Sequence, residues 1–146
     1  MNYLGRIVLM VTGLVIAGNA TPSYQVLYNE WFTVNSRAHV FKIIKIDKPE
    51  NANSNFFYLV GEAHVKQFEF NIYLLDAENY EVFTSGENPQ SAFIWITKVA
   101  VARLIVGSES QFTPLQFGKK YYLVIDNNYS RFTDKEVCVF LLAFWD

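Results

Sequence analysis

Apolar residues in this chain either alternate with polar ones or form short unbroken runs, and clusters of Asn, Asp, Ser, Gly and Pro separate the runs. Phe68, Phe70, Ile72 and Leu74 alternate with Glu69, Asn71 and Tyr73, the period of a strand with one core face and one wetter face. A first strand is expected over residues 25–34, carrying Leu27, Trp31 and Phe32. A second follows the turn Asn35-Ser36-Arg37 over residues 39–46. Residues 47–55 read as a polar loop. Residues 56–60 are apolar without alternation, as in a strand covered on both faces, and Gly61 then suggests a bulge. Asp76-Ala77-Glu78-Asn79-Tyr80 reads as a turn or one helical turn, with a short apolar piece at Val82-Phe83 and a loop over residues 84–91.

Residues 92–106 are apolar apart from Thr97, Lys98 and Arg103, and are too long for one regular strand. Lys98 and Arg103 have opposite parity, so a break between Thr97 and Ala102 is needed to bring both charges to water. A polar turn is expected over residues 107–110. Residues 121–140 read as two apolar strands joined by the polar stretch Asp126-Asn127-Asn128-Tyr129-Ser130, that is, a hairpin. The last strand runs to Trp145 and is apolar at both parities, which predicts a central position. About eight strands, no convincing helix and short turns give an all-β antiparallel two-sheet sandwich as one domain over residues 21–146.

The amino end follows another pattern. Arg6 precedes an apolar run over residues 7–17, and Gly18-Asn19-Ala20 supplies small residues before Thr21-Pro22-Ser23. This matches a secretory signal peptide cleaved after Ala20. An uncleaved membrane anchor and a strand over residues 6–11 are the alternatives. The expected location is therefore secreted, periplasmic or lumenal, with the membrane involved only if residues 1–20 remain.

Residues 117–130, Phe-Gly-Lys-Lys-Tyr-Tyr-Leu-Val-Ile-Asp-Asn-Asn-Tyr-Ser, followed by Lys135-Glu136-Val137, resemble the closing hairpin of Golgi-dynamics-like (GOLD-like) β-sandwich domains. Val60-Gly61-Glu62-Ala63 and residues 72–83 are similar to upstream pieces of that family. The membrane span and coiled coil of its cargo receptors are not seen in this sequence. The resemblance implies a non-enzymatic extracytoplasmic sandwich that binds a protein partner or joins a surface assembly.

Composition narrows the chemistry. A net charge of −2, dispersed along the chain, leaves no basic patch for phosphates, so nucleic acid is not an expected partner. Cys138 is the single cysteine and sits in an apolar run, where a thiol packs as a small hydrophobe. His39 and His64 form no zinc-spaced pair, and Asp47, Glu50, Asp76, Glu78 and Asp126 fit no EF-hand. Gly107-Ser108-Glu109-Ser110-Gln111 ends in Gln where a nucleophile elbow has Gly. Asn19-Ala20-Thr21 and Asn128-Tyr129-Ser130 have the form of glycosylation sequons.

No catalytic residue, metal site or cofactor is expected. Aromatics make up 17% of the chain and supply the alternative function, a carbohydrate-binding module. Trp31, Trp95, Trp145, Tyr73, Tyr122 and Tyr129 are the rings considered, most of them expected in the core. Trp95 and Tyr129 are the candidate ligand-facing pair, with Tyr129 placed in a turn.

Overall fold

The computed structural model describes residues 23–107 and 114–146. The signal segment, the Asn19 sequon and most of the turn after Gly107 lie outside these residues. Among the described residues the strands are β1 (Ser23–Val34), β2 (His39–Ile44), β3 (Phe56–Val65), β4 (Phe70–Asp76), β5 (Ile94–Val99), β6 (Val101–Val106), β7 (Leu115–Gln116), β8 (Tyr121–Asp126) and β9 (Lys135–Trp145). One helix, α1 (Ala77–Thr84), lies between β4 and β5. The strands form two antiparallel sheets, one ordered β1-β9-β3-β6 with β7 also on β3, the other β2-β8-β4-β5. This is a β-sandwich.

Alternation builds its interior. Val137, Val139, Leu141 and Ala143 of β9 face Leu123 and Ile125 of β8 and Phe70, Ile72 and Leu74 of β4 in one continuous core. Phe57, Leu59 and Leu104 complete it from β3 and β6. Along the β1 and β2 edge, the Tyr28 hydroxyl donates to the Ile43 carbonyl at 2.8 Å, and Lys42 stands 3.8 Å from Glu30.

Several expectations hold. The long apolar segment breaks at Ala100, with Lys98 and Arg103 both at the surface. The break does more than turn a side chain over, since β5 belongs to one sheet and β6 to the other. Trp145 is in the core, and β9 is central between β1 and β3.

Others are corrected. Residues 121–140 are not a hairpin: β8 pairs with β2 and β4, whereas β9 pairs with β1 and β3, so the polar stretch arches from one sheet to the other. Each strand is apolar on both parities, and each finds cover at the centre of its own sheet. Gly61 is not a bulge, because the pairing of β3 with β6 and β9 runs through it unbroken. It marks instead a close approach of backbone, with a Cβ there falling 2.1 Å from the Phe140 carbonyl oxygen.

Residues 77–84, where a turn or one helical turn and a short apolar piece were expected, form a continuous helix of eight residues. Asp76 caps it, accepting from the Asn79 amide at 2.8 Å. Phe68 is not in the strand at all; it sits in a loop with φ 66° and its ring outward. The helix is too short to cross a membrane, and no helix among the described residues is long and apolar enough to do so.

Chain reversals that change sheet gather at one end of the sandwich. The links β1 to β2, β3 to β4, β5 to β6 and β8 to β9 meet there, since Val34, Val65 and Lys135 end paired strands of one sheet and His39, Asn71 and Asp126 those of the other. Arg37 donates from its amide to Ser130 at 2.9 Å, and Asp134 accepts from the Ser36 amide at 2.8 Å. These bonds tie two of the links together.

Candidate functional site

Trp95 and Tyr129, the two rings singled out from the sequence, are both partly in water, 48% and 40% exposed. Trp95 projects from edge strand β5 onto the outer face of its sheet. It stacks on Tyr73 of β4, its cross-strand partner, with ring centroids 4.2 Å apart and planes at 29°. One face of the indole rests on Tyr73, which fixes its orientation. Tyr129 lies in the β8–β9 arch, and its hydroxyl donates to the Glu69 carbonyl, pinning the ring to the β3–β4 link.

No ring contact between the two is found among the described residues. Tyr73 connects them instead. Asn71, Asp126 and Tyr129 are all close enough to act on its phenol. Asn71 Nδ2 donates to Asp126 Oδ2 at 3.2 Å, and Asn71 Oδ1 accepts from the Lys98 amide at 2.9 Å. The Asn128 amide donates to Asp126 Oδ1 at 3.0 Å, so the carboxylate is held by donors from two elements.

Burial, followed by the Asp126 charge, pushes the Tyr73 phenol up to about 12. A raised phenol pKa stabilises the fold fully below the ordinary value of 10.0, and that stability drains away as pH rises through the folded value of about 12. Tyr73→Phe is therefore expected to flatten part of the fall in urea midpoint across this alkaline window. Tyr28, Tyr80, Tyr121 and Tyr129, also raised mainly by burial, account for the remainder. A midpoint falling as steeply in Tyr73→Phe as in the parent would contradict the assignment.

Helix α1 lies across the same outer sheet face and extends the aromatic surface. Tyr80 stacks on Tyr122 with centroids 4.1 Å apart and planes within 3°, Phe41 stands 5.1 Å from Tyr80, and Phe83 stands 5.6 Å from Tyr73. His39 meets Phe83 edge-on at 5.1 Å. These contacts fill the interface between helix and sheet.

A cleft of about 570 Å³ opens where the sheet-crossing links meet, lined by Phe68, Glu69, Lys98, Ala100, Tyr129, Thr133 and Lys135. Phe68 at φ 66° and Lys98 at φ 55° are two of the three non-glycine residues with left-handed backbone among those described. Each costs about 1–3 kcal/mol, strain that the surrounding pairing must hold in place. Lys135 shares the parity of Val137 and Val139, so its side chain leaves β9 on the inward face.

Burial pushes the Cys138 thiol up, away from thiolate reactivity. Among the described residues no three His, Cys, Asp or Glu side chains gather as a metal would require. No protein-family model matches the chain, and no curated protein matches it either.

The outer face of the other sheet is largely apolar, but the row Asn29, Phe140, Glu62 and Arg103 crosses its middle. Cross-strand register aligns Trp31, Cys138, His64 and Val101 in one row, Val26, Leu142, Val60 and Ile105 in another, and Tyr24, Phe144 and Tyr58 in a third. Val60, Leu142 and Phe144 form its buried floor. Tyr24, Val26, Trp31, Val101 and Ile105 around them are 40–68% exposed.

Proposed function

We propose that this chain is an exported, non-catalytic β-sandwich of the GOLD-like kind, delivered by its signal segment to bind a protein partner. The observation that carries this reading is the exposed apolar face of the β1-β9-β3-β6 sheet. Tyr24, Val26 and Ile105 on one side of the Glu62–Arg103 row and Trp31 and Val101 on the other stand in water, and apolar area gathered in this way commonly marks a surface that meets a partner. Strands of 12, 11, 10 and 6 residues, about 4.8 Å apart, cover roughly 640 Å², somewhat below the roughly 800 Å² per partner of a standard interface.

Charge on this face is balanced locally. Glu62 pairs in register with Arg103, and Lys66 bridges Glu136 while lying 4.7 Å from the Trp31 ring centroid. The partner this suits is a flat, mainly apolar protein surface with no strong net charge of either sign.

A second reading is a carbohydrate-binding module. Trp95 favours it, since an indole stacked on Tyr73 and open on its other side is the platform a sugar ring needs. One paired experiment separates the two. Captures from the extracytoplasmic fraction and a glycan array are run with the parent protein, Val26→Lys with Val101→Lys, and Trp95→Ala. A protein recovered with the parent and Trp95→Ala, but lost with the lysine pair, supports the first reading. Glycan binding lost only with Trp95→Ala replaces it with the second.

A further inference from the structure

We propose that the cleft at the sheet-crossing end of the sandwich is a binding site for a small organic carboxylate with an apolar body, anchored by the Lys135 ammonium. Lys135 opens β9 on the inward parity and is only 5% exposed, yet it lines the cleft. Among the described residues no carboxylate meets its Nζ, and its recorded neighbour is the Phe68 ring, 4.7 Å from Nζ to centroid. A buried lysine ordinarily has an anionic partner, because removing an ammonium from water is costly. Here the position for that partner is the cleft.

The lining defines the ligand class. Lys98 and Lys135 stand against Glu69, one net positive charge, which matches a monoanion better than a phosphate dianion. Phe68, Ala100 and Tyr129 supply apolar wall, and the bond from Tyr129 to the Glu69 carbonyl holds that ring still. A space of about 570 Å³ suits a small ligand. The left-handed backbone at Phe68 and Lys98 places both side chains at this lining, so the strain and the cation coincide.

The proposal is independent of the apolar sheet face and of Trp95. Benzoate is the probe, titrated into ¹⁵N-labelled protein, with benzyl alcohol as the neutral control. Saturable shifts of the Phe68, Lys98 and Thr133 amides are expected with benzoate and not with benzyl alcohol. Lys135→Met, checked for an unchanged fold, should weaken benzoate binding about tenfold, the loss of one charge-assisted contact. If Lys135→Met does not fold, Lys98→Met, at an exposed position, should weaken binding measurably. Equal shifts with benzyl alcohol, no saturable shift with benzoate, or full affinity in the folded lysine variant would each overturn the site.

Discussion

Gly61→Ala is expected to lower stability by about 3 kcal/mol, because the added methyl meets backbone that cannot move aside. Gly61 lies in β3 with β9 on one side and β6 on the other, opposite Leu141 and Leu104. An added Cβ would fall 2.1 Å from the Phe140 carbonyl oxygen, 2.9 Å from Leu141 Cδ1 and 3.0 Å from Leu141 Cα. Two of these three atoms are backbone and cannot rotate away. Relief requires moving β9, whose inward residues pack against the opposite sheet along its length.

Total stability for such a domain is about 5–15 kcal/mol, so a measurable fraction of the chain would unfold. Urea denaturation of Gly61→Ala beside Gly86→Ala makes the comparison. Gly86 has φ +86° and nothing within 4 Å of a built Cβ, so its alanine bears only the left-handed backbone cost of about 1–2 kcal/mol. Equal urea midpoints for the two variants would show that the β3–β9 approach is looser than described.

Burial was legible in this sequence where pairing was not. The alternation of Phe70, Ile72 and Leu74 marks β4 because that parity lines the main core, although the face expected to be wetter is buried too, Asn71, Tyr73 and Leu75 being covered from outside. The opposite parities of Lys98 and Arg103 located a real break for the same reason. Yet alternation reports which face of a strand is covered, and says nothing about which strand lies beside it. That is why residues 121–140 read as a hairpin although β8 and β9 lie in different sheets.

Polar, turn-tolerant residues serve an arch as well as they serve a hairpin. Helix α1, at eight residues, is too short for a 3.6-residue period to show; its one local signal was Asp76 three residues before Asn79. Phe68 kept the parity of a core residue, but its left-handed backbone sends it outward, and such a conformation is not foreseeable for a bulky side chain.

The candidate site divides along the same line. Trp95 and Tyr129 could be named as exposed rings from their local surroundings. Tyr73 as the link between them depends on β4 lying beside both β5 and β8, a consequence of topology. The cleft around Lys135 depends on the β3–β4, β5–β6 and β8–β9 links converging at one end, and no local pattern contains that.

Asn127 holds that end together, and Asn127→Asp is expected to lower stability by roughly 4 kcal/mol. The residue is fully buried, and its Nδ2 donates to the carbonyls of Val34 at 3.3 Å, Asn35 at 3.2 Å and Thr133 at 2.8 Å. Its Oδ1 has no partner among the described residues, so the whole contribution lies on the donor side. Aspartate removes both donor hydrogens and presents a buried negative charge to the three carbonyl oxygens.

Asn127→Ala, which leaves the carbonyls unpaired without adding charge, should cost less, about 2–3 kcal/mol. The acid response distinguishes the two. A carboxyl buried against carbonyl oxygens has its folded pKa raised, so its destabilisation is greatest at neutral pH and shrinks as pH falls and the protonated group regains a donor. The stability gap between Asn127→Asp and Asn127→Ala should therefore narrow on acidification. Exchange protection of the Arg37 amide, whose bond to the Ser130 carbonyl joins the β1–β2 link to the arch, and of the Ser130 amide, which donates to the Asn127 carbonyl, should fall in both variants while core amides such as Leu141 keep theirs relative to global stability. An Asn127→Asp protein that unfolds at the parent urea concentration at neutral pH would show that these three carbonyls find other donors and that the arch is secured elsewhere.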